Sequence, residues 1–196
     1  MSDSRQIMLD RIRSRTLPPA EAPAIDLERM IQYESLPDQF RDAAEFVGAT
    51  VHHCAGVSEV QTLLDGMESF RDARCIASTV SGIAGNFDAD KITKPQDLAN
   101  LDWMVINGRF AVAENGAIWV PADEVPDRAQ IFITQHLAIV VPKDELVPHM
   151  HAAYDRLGTF SGYGVFVSGP SKTADIEQSL VLGAHGCRTL NIFLLG

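Results

Sequence analysis

The chain has 196 residues, 46% of them hydrophobic, with 26 acids against 16 lysines and arginines and a formal charge of −10. That length suits one domain with an N-terminal extension, and that apolar content fills a substantial core. The acidic balance argues against nucleic acid or an anionic membrane surface as partner, so an anion site would have to be built locally.

Cys54, Cys75 and Cys187 are the three cysteines and form no C-x-x-C pair. They read as free thiols of a reducing cytoplasm. The N-terminus MSDSRQIMLDRIRSR carries no apolar stretch of the signal-peptide kind. No run approaches the roughly 20 apolar residues that span a bilayer.

Taken in order, Ser4–Arg15 is expected to be a short amphipathic helix, with Ile7, Met8 and Ile12 near helical spacing. Thr16–Ala24, TLPPAEAPA, reads as an extended Pro-rich linker. Residues 1–24 are therefore set apart from a domain over 25–196. Asp26–Glu34 is brief and helical or irregular. Pro37–Gly48 is a helix burying Phe40, Ala43, Ala44 and Val47, with Gly48 as its stop. Ala49–His53 follows as a strand. Ser58 is the expected N-cap of a helix over Glu59–Ser69, and Cys75–Thr79 is the next strand. Helix, strand, helix, strand argues for parallel strands with covering helices.

Gly82–Asn100 is polar and turn-rich, with Asp97–Leu101 as a turn of helix. Trp103–Asn107 and Phe110–Ala113 read as strands. Ile118–Pro121 continues them after Asn115-Gly116, a strong hairpin signal. Ala129–Thr134 and Leu137–Val141 are apolar and β-branched, hence strands, and Asp144–Leu157 is a helix. Val165–Val167 and Thr189–Leu195 complete the strands. The sum is an α/β domain: one open, mostly parallel sheet with flanking helices.

Between those last two strands lies the stretch SGPSKTADIEQSLVLGAHGCR, from Ser168 to Arg188. Lys172–Glu177 is expected to open a helix that Gly183, His185 and Gly186 close. Ser168, Gly169, Ser171, Lys172 and Thr173 would then gather backbone N–H groups, hydroxyls and one ammonium at a helix N-terminus. That combination suits a phosphate or carboxylate. It also suits plain capping. The Walker spacing G-x-x-x-x-G-K-[ST] is missing.

SGPSKTADIE followed by LVLGAHG resembles the C-terminal signature of the LUD domain, the lactate-utilization protein C family. AVAENGAIWV (Ala111–Val120) resembles the family's A-E-T-G-T segment, and HLAIVVPKDELV (His136–Val147) its next strand and helix. The likeness covers about Leu101 to Gly196. Asn115 stands where the family carries Thr, and Cys187 where it carries Pro.

The resemblance implies the fold shared by ribose-phosphate isomerase, glucosamine-phosphate deaminase and coenzyme A transferases. It implies a place in oxidising L-lactate to pyruvate beside two iron–sulfur partner subunits. Those subunits would hold the clusters, leaving this chain without a cofactor of its own. Its role would be to bind a small anionic ligand or to assemble the complex, and a homodimer is a further possible assembly.

Two residues are candidates for chemistry. Glu114, in A-E-N-G, resembles the glutamate nucleophile of coenzyme A transferases; alternatively its carboxylate satisfies backbone N–H groups at the turn beside Asn115 and Gly116. His185 polarises a substrate carboxylate, shuttles a proton, or bonds a helix carbonyl. Ser78, Thr79 and Ser81 form a second hydroxyl-rich strand end, where open α/β sheets bind ligands. His52 and His53 point to opposite faces of a strand, and His149 and His151 lack i, i+4 spacing, so no metal site is expected. Two further readings stay open: a stand-alone acyl-CoA transferase or phosphosugar isomerase or ligase, and a non-catalytic assembly module.

Overall fold

Alternating apolar runs build the protein in layers. The computed structural model describes residues 4–15, 20, 21, 23, 26, 29–87, 92, 94–173, 181–183 and 185–196. The chain divides into two units, Met1–Gln32 and Tyr33–Gly196. In the first, α1 spans Ser4–Ser14 and buries no residue; Ile7, Met8 and Ile12 are all exposed. Thr16–Pro19, Ala22 and Ala24 of the expected linker lie outside the described residues.

The second unit is built on five parallel strands: β1 (Thr50–Cys54), β2 (Ile76–Ser78), β3 (Trp103–Asn107), β6 (His136–Pro142) and β11 (Thr189–Leu195), in the order β1-β11-β6-β3-β2. Strands buried on both faces read as continuous apolar runs, and β3, β6 and β11 do. Trp103, Val105, Ala138, Val140 and Phe193 point to one side. There they meet Val60 and Leu64 of α3 (Val57–Gly66) and Phe70 of α4 (Glu68–Arg71).

Met104, Ile106, Leu137, Ile139, Ile192 and Leu194 point to the other side. That side is covered largely by a second sheet: β4 (Phe110–Val112), β5 (Ala117–Pro121), β7 (Leu146–Val147) and β8 (Gly164–Val167), in the order β7-β4-β5-β8. Ala111, Ile118 and Val120 face the parallel sheet, while Phe110, Val112, Ala117 and Trp119 face outward. Ala153 of α6 (Met150–Leu157) covers that outward face. Phe40 and Ala44 of α2 (Leu36–Phe46) join the inner core. Each large side chain sealed this way contributes roughly 1.5–3 kcal/mol.

The α/β class with an open parallel sheet holds, and the hairpin-bearing middle forms its own layer on that sheet. Several local expectations are corrected. Gly56, not Ser58, is the N-cap of α3; the Glu59 carboxylate reaches back to accept the Ala55 N–H at 2.7 Å. Ala129–Ile133 is a helix, α5, rather than a strand. Asp127 starts it, its carboxylate accepting the Ala129 N–H at 2.8 Å.

Asp144–Leu157 is not one helix. Pro148 breaks it, leaving a 3₁₀ turn at Lys143–Glu145, then β7, then α6. The helix expected to open at Lys172 is replaced at both described ends by strand. β9 (Lys172–Thr173) pairs antiparallel with β10 (Val181–Leu182). Ala174–Leu180 lie outside the described residues. The ends of this segment are pinned: Ser171 N–H donates to the Cys187 carbonyl at 2.9 Å, and Gly183 N–H to the Ser171 carbonyl at 3.0 Å.

Candidate functional site

The signature turn is placed by three neighbours. β8 pairs antiparallel with β5, so Val167 lies opposite Ile118 and delivers Ser168 beside the β4–β5 hairpin. There the Ser168 hydroxyl donates to the Asn115 carbonyl at 2.9 Å. Gly169 has φ +72°, and a Cβ on it would lie 2.6 Å from the Val47 carbonyl oxygen. Only glycine lets the turn pass this close to the C-terminal end of α2. Gly116 does the same one step away: φ is +65°, and a Cβ would meet the Ala44 backbone at 2.6 Å. The end of α2 is thus held against both the hairpin and the signature turn.

Lys172 reaches the same helix end. A Cβ built on Gly48 would lie 3.3 Å from its ammonium nitrogen, a favourable place for a cation beside a helix C-terminus. No carboxylate among the described residues is ion-paired with Lys172. On the opposite wall, a Cβ on Gly186 would lie 2.9 Å from the Ser171 Cβ. The His185–Cys187 loop therefore packs directly on the signature turn.

These contacts enclose a concavity of about 350 Å³ lined by Ser168, Gly169, Pro170, Ser171, Lys172, His185, Gly186 and Cys187. Val165, Val167, Leu137, Ile131 and Phe132 supply its apolar wall. Burial pushes the Cys187 thiol up, with backbone hydrogen bonds opposing that rise. It enters this wall as a neutral thiol.

Five of the residues expected from sequence are brought together here: Ser168, Gly169, Ser171, Lys172 and His185. The means differ from expectation. The gathering is made by a hairpin and two loops, and the Ser171 amide is already bonded to Cys187. The backbone of Thr173 follows in β9, and its side chain lies outside the described residues.

Glu114 and Asn115 line a different concavity, with Phe46 and Val47 of the α2 end. The exposed Glu114 carboxylate accepts the Met150 N–H at 2.9 Å, capping α6 together with the His149 imidazole, which accepts from Ala152 N–H at 3.1 Å. Asn115 Oδ1 accepts the Ala117 N–H at 3.1 Å and holds the hairpin turn. Ser78 closes a local turn with Val80, and Ser81 is exposed beyond it. Both lie past the C-terminal end of β2. The signature cavity lies by the N-terminal ends of β1 and β11 instead, so the sheet separates the two groups.

Sequence reasoning missed two parts of the cavity, α5 and Cys187, and the Val47–Gly48 helix end that packs against Gly169 and Lys172. Gly48 read as a helix stop, which it is, and nothing local announces that a lysine over a hundred residues later lies on it. Among the described residues, no group of three or more His, Cys, Asp or Glu is placed to hold a metal ion. No helix among them is long and apolar enough to cross a membrane.

Known proteins fit this picture. A lactate utilization protein C of Exiguobacterium sp. is 30% identical over 171 residues, 78% of this chain and 74% of the relative. The lactate utilization protein C of Bacillus subtilis is 30% identical over 110 residues, 51% of this chain and 45% of that one. Bacillus pumilus has a protein of the same name, 32% identical over 91 residues, of which this chain covers 38%. The crystal structure of a DUF162 family protein from Deinococcus radiodurans superposes with TM-score 0.64 at 18% identity, covering 82% of this chain and 96% of that one. That likeness speaks to the fold. The LUD domain matches residues 71–195, so both sheets, apart from β1, and the whole signature cavity fall within it, and the chain belongs to the LUD domain family.

Proposed function

We propose that this chain serves in lactate utilization as a non-redox component that holds a small anion in the signature cavity. The observation that carries the reading is the convergence of Ser168, Ser171, Lys172 and His185 on one concavity of about 350 Å³. A volume near the lower end of ligand pockets suits a small carboxylate. Lys172 supplies the charge, the Ser171 hydroxyl and the His185 imidazole supply directional hydrogen bonds, Ser168 holds the turn through its bond to Asn115, and the apolar wall excludes water from one side of the ligand. The names of the Exiguobacterium and Bacillus relatives support the process. Cys54 and Cys187 are buried and Cys75 is half-buried. Oxidation of lactate to pyruvate releases two electrons, and in this reading iron–sulfur subunits in the cytoplasm receive them.

A thermal-shift panel tests the reading. L-lactate or pyruvate should raise the melting temperature saturably, by mass action on the folded state, and the Lys172→Ala protein should lose that rise. Equal melting curves for both proteins across lactate, pyruvate, phosphate and coenzyme A would overturn it. Affinity capture of the chain from its own organism should retain cysteine-rich iron–sulfur proteins.

A further inference from the structure

A second and larger cavity, of about 890 Å³, opens on the N-terminal rim of the parallel sheet and shares no lining residue with the signature cavity. The lead-in residues of four strands build it: Arg74 and Cys75 before β2, Asp102 before β3, His136 at the start of β6, and Arg188 before β11. Neighbouring strands lie about 4.8 Å apart, so β2 and β11 stand roughly 14 Å apart along this rim, with His136 between them.

Each group is oriented. His136 Nδ1 lies 2.8 Å from the Thr189 hydroxyl, and its ring stacks on Trp103 at 4.9 Å between centroids. Nε2 is then the imidazole nitrogen without a partner among the described residues. The Asp102 carboxylate is spent on backbone, accepting Arg74 N–H at 2.8 Å and Cys75 N–H at 3.0 Å. Among the described residues no carboxylate is ion-paired with Arg74 or Arg188. Asp72, the other acid of the lining, lies 3.9 Å from Arg71. In a chain of net charge −10, two arginines lining one concavity, neither ion-paired with a carboxylate among the described residues, ask for an outside counter-charge. Guanidinium is the side chain best matched to carboxylate and phosphate oxygens.

We propose that this rim cavity binds a small oxyanion, carboxylate or phosphate, through Arg74 and Arg188, with His136 donating a third hydrogen bond from Nε2. In this proposal Nδ1 is the acceptor of its contact with the Thr189 hydroxyl, which leaves the proton on Nε2. Burial, and then the charge of Arg188, hold His136 below the ordinary histidine range, while Asp102 acts the other way. Arg188 and Asp102 are the charges facing the imidazole, Arg74 and Asp72 lie on the further wall, and Trp103 and Thr189 are uncharged. Burial, and then Asp102, push the Cys75 thiol up, so it adds no charge near pH 7. A bound anion supplies a negative charge beside the imidazole and raises its titration midpoint.

The test is imidazole NMR on the full chain, with inorganic phosphate and, separately, succinate as probes; His136→Gln identifies the signal. The expected result is a saturable shift of the His136 resonances with at least one probe and an upward move of their midpoint. Arg188→Gln should weaken binding about ten-fold or more, with Arg74→Gln as a second variant should the first fold poorly. Response to phosphate alone identifies a phosphate ligand, and response to succinate alone a carboxylate. Lys172→Ala should leave the His136 response unchanged, which keeps this site separable from the signature cavity. No saturable shift with either probe at millimolar concentration would overturn the proposal. So would undiminished binding in both arginine variants, or loss of the response in Lys172→Ala.

Discussion

β11 and the signature segment that leads into it are adjacent in the chain and held by different physics. β11 is locked by alternation: Phe193 faces the helical side, while Ile192 and Leu194 face the second sheet, all at 0% exposure. The described residues between Ser168 and Cys187 are held by a few contacts: one hydroxyl on Asn115, two backbone bonds across Ser171, the short β9–β10 pairing, and glycines that let α2 approach. Redundant packing makes a scaffold that tolerates local loss. A few contacts make a site that fails when one is removed.

That difference can be broken from either side. The largest effect is expected from Phe193→Ala, which should cost about 3–5 kcal/mol in a urea denaturation. Folded protein that remains should keep its ligand affinity. Gly169→Ala should cost less, about 1–3 kcal/mol, because the new Cβ meets the Val47 carbonyl at a left-handed residue. It should loosen the signature turn and abolish the ligand-induced rise in melting temperature. If instead Phe193→Ala loses the ligand and Gly169→Ala keeps it, scaffold and site are not separable in this way.

Glu114→Ala sharpens the contrast at the hairpin. Loss of the cap on Met150 should cost about 1 kcal/mol and leave ligand affinity unchanged. A nucleophilic Glu114 would instead show as turnover with an acyl-CoA donor that this variant lacks.

The smallest effect is electrostatic. Burial and Arg188 depress His136 in the folded chain relative to the ordinary value of 6.5. Unfolding therefore takes up a proton in the window just below 6.5, and the stability this group contributes is present above that pH and lost as pH falls through the folded value. His136→Gln should flatten the fall in urea midpoint between neutral and mildly acid pH.

The scaffold was legible because its signal repeats. WMVIN, LAIVV and TLNIFLL each read as strands from their own residues, and the order of elements gave parallel pairing. The turns were less legible. Asp127 starting α5 and Pro148 dividing β7 from α6 are short-range signals that an apolar run conceals. The signature segment was misread for a deeper reason. Its hairpin is set by bonds from Ser171 to Cys187 and Gly183, residues that only the fold brings together. Ser168, Gly169, Ser171, Lys172 and His185 were singled out from the sequence and do line one concavity, yet the geometry gathering them was not a helix N-terminus. Gly48, which lies against the Lys172 ammonium, carries no local mark of that duty.

Calorimetric titration of L-lactate into the intact chain and its Lys172→Ala variant tests the central claim most directly. The expected result is one saturable site in the intact chain, weakened about ten-fold or more when the ammonium is removed, since a hydrogen bond from a charged donor has that worth. Equal heats of titration in the two proteins would contradict it.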